Sequence, residues 1–176
     1  MLKDSPVAAK VDRMKITEAL LAEHLVFHSM FDHIESVAGS LKTVGEIKAL
    51  AALLEVMLKA HSDTEDELFL GPLEHCFEQI GQRDSFLEEH QEMDESLKLV
   101  QSAVRLKEAQ RLVLAAVAHS RRHFDREERI VFPMAERVLK PRTLTQLSQT
   151  WLSQRTRVAA TGANLTSPLL QVFVSR

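Results

Sequence analysis

The sequence predicts an all-α protein: a four-helix bundle with a short connecting helix between its second and third long helices and a fifth helix towards the C-terminal end. Three observations point there. Among 176 residues there are only five glycines, five prolines and no tyrosine, whereas Leu, Ala, Glu, Lys, Gln and Met, all good helix formers, are abundant. Apolar residues recur at three- and four-residue steps, the period of a helix with one buried face. Capping boxes and Gly or Pro stops separate these periodic stretches. An apolar content of 45% is enough to fill one core without disulfides.

The first helix starts at about Lys15, runs through Ile16, Leu20, Leu21, Phe27, Phe31 and Ile34, and stops near Gly39. Thr43 with Glu46 forms a capping box for the second, whose Ile47, Leu50, Leu53, Leu54, Met57 and Leu58 lead towards Leu68 and Phe69 before Gly71-Pro72 closes it. Pro72 to Ile80 reads as the connecting helix, with Gly81 as a left-handed stop. Ser85 with Glu88 opens the third helix, which carries Phe86, Leu87, Met93, Leu97 and Val100 to about Val104. The fourth runs from about Lys107 through Leu112, Val117 and Phe124 to Val138 or Leu139, with Pro133 inside it, where it should either kink the helix or sit where tertiary contacts tolerate the lost hydrogen bond. Pro141 breaks the chain, and Thr143 with Gln146 caps a fifth helix bearing Leu144, Leu147, Trp151 and Leu152 to about Val158. The expected organisation is an extension at 1–14, a bundle with its fifth helix at 15–158, and a tail at 159–176 with an apolar patch at Leu169 to Val174.

Charge and composition exclude several classes of function. The net charge is −3, with 22 basic and 25 acidic side chains interspersed, so there is no basic stripe to neutralise phosphates and nucleic acid is not an expected partner. No apolar run reaches the roughly 18 residues of a membrane span, and the first residues lack a signal-peptide pattern. The single Cys76 rules out an internal disulfide framework, which fits a reducing, cytoplasmic setting.

The chemistry is carried by His and Glu. Residues four apart on a helix share a face, so His61 with Glu65 and His123 with Glu127 each offer an imidazole and a carboxylate to one interior point. Two such helices can enclose two metal ions, with Glu65 and Glu127 bridging them and His24 and His90, from the other two long helices, completing the nitrogen set. Iron suits such mixed ligands. With eight His and 25 acidic residues, composition alone gives about one His-x-x-x-Asp/Glu pair. There are four, at His28, His61, His90 and His123. Any one alone reads as a solvated intrahelical pair; one set on each of four successive amphipathic helices reads as a bundle metal site. The halves also echo one another: Glu23-His24 matches Glu89-His90, and His61-x-x-x-Glu65 running to Pro72 matches His123-x-x-x-Glu127 running to Pro133.

These motifs, above all His123-x-x-x-Glu127-Glu128 followed by Val131-Phe132-Pro133, resemble the hemerythrin-like HHE cation-binding domain over about Lys15 to Trp151. The resemblance implies an antiparallel up-down bundle holding two Fe ions in a non-heme, oxo- or hydroxo-bridged di-iron centre with a position for O₂ or a related small molecule. Hemerythrin itself has a fifth His in a His-x-x-x-His pair on its third helix. Here that helix has His90-x-x-x-Asp94, and the His-x-x-x-His is His24 with His28 on the first. His28 is therefore the expected fifth nitrogen ligand, ahead of Asp94. Leu70-Gly71 before Pro72 also departs from the tighter Phe-Pro junction of the fourth helix. His33, His75 and His119 read as surface or supporting residues, and Glu128 as lying outside the ligand set.

The expected function is di-iron binding, with binding or sensing of O₂, NO or peroxide; whether the chain is an enzyme stays open, with non-enzymatic metal and oxygen binding the favoured reading. The alternatives are a di-iron oxidoreductase turning over peroxide or NO, and a metal-free structural or regulatory bundle. The fifth helix and tail are the expected surface for a homodimer or a protein partner.

Overall fold

The computed structural model describes residues 13–79 and 83–162. Among them the chain is helical and has no strand. The first helix, α1 (Ile16–Ala38), starts where the Glu18 carboxylate reaches back to accept the Lys15 N–H at 2.7 Å. It ends at Gly39 in ordinary right-handed backbone (φ −68°), the Ser40 and Leu41 amides both donating to Val37 O. Gly39 therefore marks the stop without supplying a left-handed residue. The Thr43/Glu46 capping box at the start of α2 (Val44–Glu65) forms as the sequence predicts: the Glu46 amide donates to Thr43 Oγ1 at 3.2 Å and the Thr43 amide to Glu46 Oε2 at 2.8 Å.

Gly71-Pro72 does not close the second helix. The chain passes through a wide π-helical turn, Asp66–Leu70, straight into α3 (Gly71–Gln79). The fourth long helix does the same. After α5 (Leu106–Arg126), the segment Glu127–Val131 is π-helical and leads into α6 (Phe132–Val138). Here the Phe132 amide donates to Glu127 O, five residues back. Pro133, next in line, has no N–H to place, so the wide turn absorbs the bond that a proline removes from an α-helix.

Between these lies α4 (Arg83–Ser102). It begins two residues before Ser85, whose Oγ accepts from Arg126 at 3.1 Å instead of capping. The last helix, α7 (Pro141–Gly162), places Pro141 at its first position, so Thr143 and Gln146 lie inside it and do not cap it. Gly81, residues 1–12 and the apolar patch at 169–174 lie outside the described residues.

Helix α5 packs on α4 and α1, α4 also on α2, and α7 against α1. The core falls into two apolar clusters. One holds Phe27, Phe31, Leu54, Leu58, Leu97, Val113 and Phe124; the other holds Ile16, Leu20, Leu73, Phe77, Phe86, Phe132 and Leu144. Along α1 the order is Leu20, His24, Phe27; along α2 and its continuation it is Leu58, His61, Glu65, Leu68. A buried polar layer thus separates the two apolar halves.

Candidate metal centre

Six polar side chains make that layer, and each is almost fully enclosed: His24, His61, Glu65, His90, His123 and Glu127. They form two groups that share both carboxylates, His24, His61, Glu65 and Glu127 on one side and His90, His123, Glu65 and Glu127 on the other. Within each group the ligand atoms lie within 4.8 Å of one another. His24 Nε2 and His61 Nε2 are 3.0 Å apart, as are His90 Nε2 and His123 Nε2.

Every imidazole is held from behind by a carboxylate at Nδ1. Glu128 takes His24 at 2.9 Å, Glu23 takes His61 at 2.8 Å, Asp66 takes His90 at 2.9 Å and Glu89 takes His123 at 2.8 Å. A carboxylate at Nδ1 fixes the proton there and leaves the Nε2 lone pair facing inwards. Two lone pairs 3.0 Å apart repel unless a proton or a cation lies between them. Arg155 of α7 holds Glu23 in turn, at 2.7 and 3.0 Å, and also donates to Ala60 O and Thr64 Oγ1. Arg126 binds Glu89 in the other half.

The two central carboxylates lie between the histidine pairs. Glu65 Oε1 is 3.4 Å from His61 Nε2 and its Oε2 is 3.6 Å from His90 Nε2; Glu127 Oε2 is 3.4 Å from His24 Nε2 and its Oε1 is 3.1 Å from His123 Nε2. None of these four oxygens makes a hydrogen bond. Burying a carboxylate without a partner costs several kcal/mol or more, so native structures rarely tolerate it unless a cation completes the site. The donor set of neutral imidazoles and carboxylates at this spacing fits one.

The protein groups alone divide the charge unevenly. Burial, followed by the charge of Glu127, pushes Glu65 well above the usual carboxylate range. Burial acts on Glu127 in the same direction but is outweighed by His123 and the other imidazoles, which hold it low. His123 is correspondingly raised to about 9, Glu127 overcoming its burial, while burial takes His24 down to about 4. Two carboxylates this close and this deeply buried cannot both carry their charge without compensation.

Six of the seven residues expected as ligands are thus brought together. His28 is not in either group. It is about one-third exposed, with Nε2 at 3.4 Å from Glu128 Oε1 and Nδ1 at 3.3 Å from Arg121. Asp94 lies in a surface crevice beside His90, and His119 contacts Glu92 at the edge of the bundle. The sequence reading missed that Glu23, Asp66, Glu89 and Glu128 anchor the rings. Their signal was adjacency, since each directly precedes a histidine or directly follows a glutamate of the centre.

The family model for the hemerythrin HHE cation binding domain matches residues 15–135 and, a second time, residues 81–151. No curated protein and no solved structure gives a match. With most of its length matched and both His/Glu groups assembled in its core, the chain belongs to the hemerythrin HHE cation-binding domain family.

Proposed function

We propose that the chain binds two iron ions, one in each histidine pair and both bridged by Glu65 and Glu127, and that this centre binds or senses O₂, NO or peroxide. The observation that carries the reading is the set of four buried, unpartnered oxygens of Glu65 and Glu127, one from each carboxylate directed at each histidine pair. A carboxylate that offers one oxygen to each of two sites is suited to bridge two cations. His24, His61, His90 and His123 serve as the terminal nitrogens, and Glu23, Asp66, Glu89 and Glu128 orient them. A bound di-iron centre supplies a redox-active Lewis acid for a small oxygen- or nitrogen-containing molecule. The chain supplies the dry surroundings: Phe124 stacks on His24, and Phe27 and Phe132 pack close to the same group.

The same reading takes residues 15–158 as an antiparallel up-down four-helix bundle together with its fifth helix and places the protein in the cytoplasm, with Cys76 reduced. No helix among the described residues is long and apolar enough to cross a membrane. Elemental analysis of protein from iron-replete cells should give about two iron per chain. Optical spectra of the reduced protein should then change on exposure to air, peroxide or nitric oxide. One zinc per chain, or no stoichiometric metal, overturns the iron reading; catalytic consumption of peroxide or NO replaces a sensor with an oxidoreductase.

A further inference from the structure

The two histidine pairs are built alike but are not equally reachable. Phe124 follows His123 in the chain as Ser62 follows His61. The Phe124 ring lies flat on His24, with centroids 3.9 Å apart and planes within 1°, and closes that side of the centre. At the matching place beside His90 stands the small hydroxyl side chain of Ser62, and a crevice of about 170 Å³ opens there between α2 and α4. His24 is 0% exposed and His90 6%. Two further exchanges make the crevice polar: Gln91 follows His90 where Leu25 follows His24, and Asp94 stands four residues after His90 where His28 stands four after His24.

The charges differ in the same sense. Asp63, Asp66 and Asp94 face one ammonium, Lys59, which pairs with Asp63 at 2.9 Å. The corresponding cavity at His28 is lined by two carboxylates, Asp125 and Glu128, and two guanidiniums, Arg121 and Arg122, with Arg121 also paired to Asp32 and Glu35 at the surface, and none of the four core histidines lines it. Another cavity, at His61, is lined by Val26, Phe27, Met57 and Ala60, and its carboxylate, Glu23, is neutralised by Arg155. A divalent cation approaching an apolar or neutral opening gains nothing for the water it sheds. In a crevice with excess carboxylate it is concentrated and partly solvated by Asp, Ser and Gln oxygens on its way in.

We propose that the Ser62/Asp63/Asp94 crevice is the route by which divalent iron reaches the centre, arriving first at the His90 and His123 pair. This rests on the iron reading above and assigns a kinetic role to residues that are not ligands. In the test, metal-free full-length protein is mixed anaerobically with ferrous iron and uptake is timed with an indicator chelator. Wild-type uptake should slow as salt is raised. The Asp63→Asn/Asp94→Asn double variant should load about tenfold more slowly at low salt, with a flatter salt dependence and the same final stoichiometry. Ser62→Phe, which installs the residue found in the other half, should also slow loading without changing the end point. Asp125→Asn, in the opposite cavity, should load at the wild-type rate. The double variant lies on the surface, so it decides the matter if Ser62→Phe fails to fold. Wild-type rate and salt dependence in the double variant, or equal slowing by Asp125→Asn, overturns the route while leaving the iron site standing. A wild-type chain that takes up no iron at equilibrium overturns both.

Discussion

Glu23 holds His61 on another helix and leaves its sequence neighbour His24 to Glu128. Adjacent residues on a helix point about 100° apart, so an acid beside a histidine in sequence is set to serve a ring on a facing helix. That His61 with Glu65 and His123 with Glu127 would meet in the core was legible, because residues four apart on one helix share a face. The anchors were not, because their partners are set by the helix that faces them. His28 shows the same limit: its spacing from His24 is right, but Glu128 and Arg121 hold it at the surface. Two predictions belong to single residues. Glu65→Ala or Glu127→Ala should lose both metals together, whereas His24→Ala or His90→Ala should weaken mainly one. Metal stoichiometry against chelator concentration separates these, and equal losses in all four contradict the bridging role. Glu23→Gln should weaken metal affinity by about 10- to 100-fold, the usual cost of removing a group that orients a ligand, measured by competition with a chelator of known affinity.

The helices themselves follow from period and composition, and the Thr43 capping box is formed as written. Proline was harder to read. Pro72 and Pro133 both lie where a turn widens to bonds spanning five residues, a solution that depends on packing on both sides and leaves no local sequence mark beyond the proline. Each wide turn follows directly on, or begins with, a buried core glutamate, so it also sets the rotation at which Glu65 or Glu127 meets the polar layer. Helix α7 is fastened by another device. Its Arg155 makes four hydrogen bonds to Glu23, Ala60 O and Thr64, while Trp151 packs on the second apolar cluster. Arg155→Ala should release the outer part of this helix. Limited proteolysis should then cut within α7 faster than in the wild type, with little change at α1 to α5; an unchanged cleavage pattern shows that the apolar contacts hold it alone.

Across the whole molecule, a polar layer divides two apolar clusters at the level where aliphatic packing would add about 1.5–3 kcal/mol for each large side chain. Metal binding offsets that loss, and because the ligands are arranged only in the folded chain, its affinity adds directly to stability. The long helices and both clusters do not depend on it. Chelation should therefore lower the melting temperature markedly yet leave most of the far-ultraviolet helix signal at about 20 °C, near the usual stability maximum. An unchanged melt after verified metal removal would show that these six residues are not ligands.

The exchange of anchors between the two halves has a last consequence. Residues 15–79 carry His24, His61 and Glu65, and residues 83–139 carry His90, His123 and Glu127, so neither half holds all four residues of either group. Asp66 of the first half orients His90 of the second, and Glu128 of the second orients His24 of the first. The pattern maps onto itself when the halves are exchanged, as it does in an assembly of two identical subunits around a shared centre. Joining them in one chain replaces a bimolecular encounter by an internal one, at an effective concentration of order millimolar for a short link. It also lets matching positions differ, with Phe124 stacked on His24 in one place and the small Ser62 beside His90 in the other.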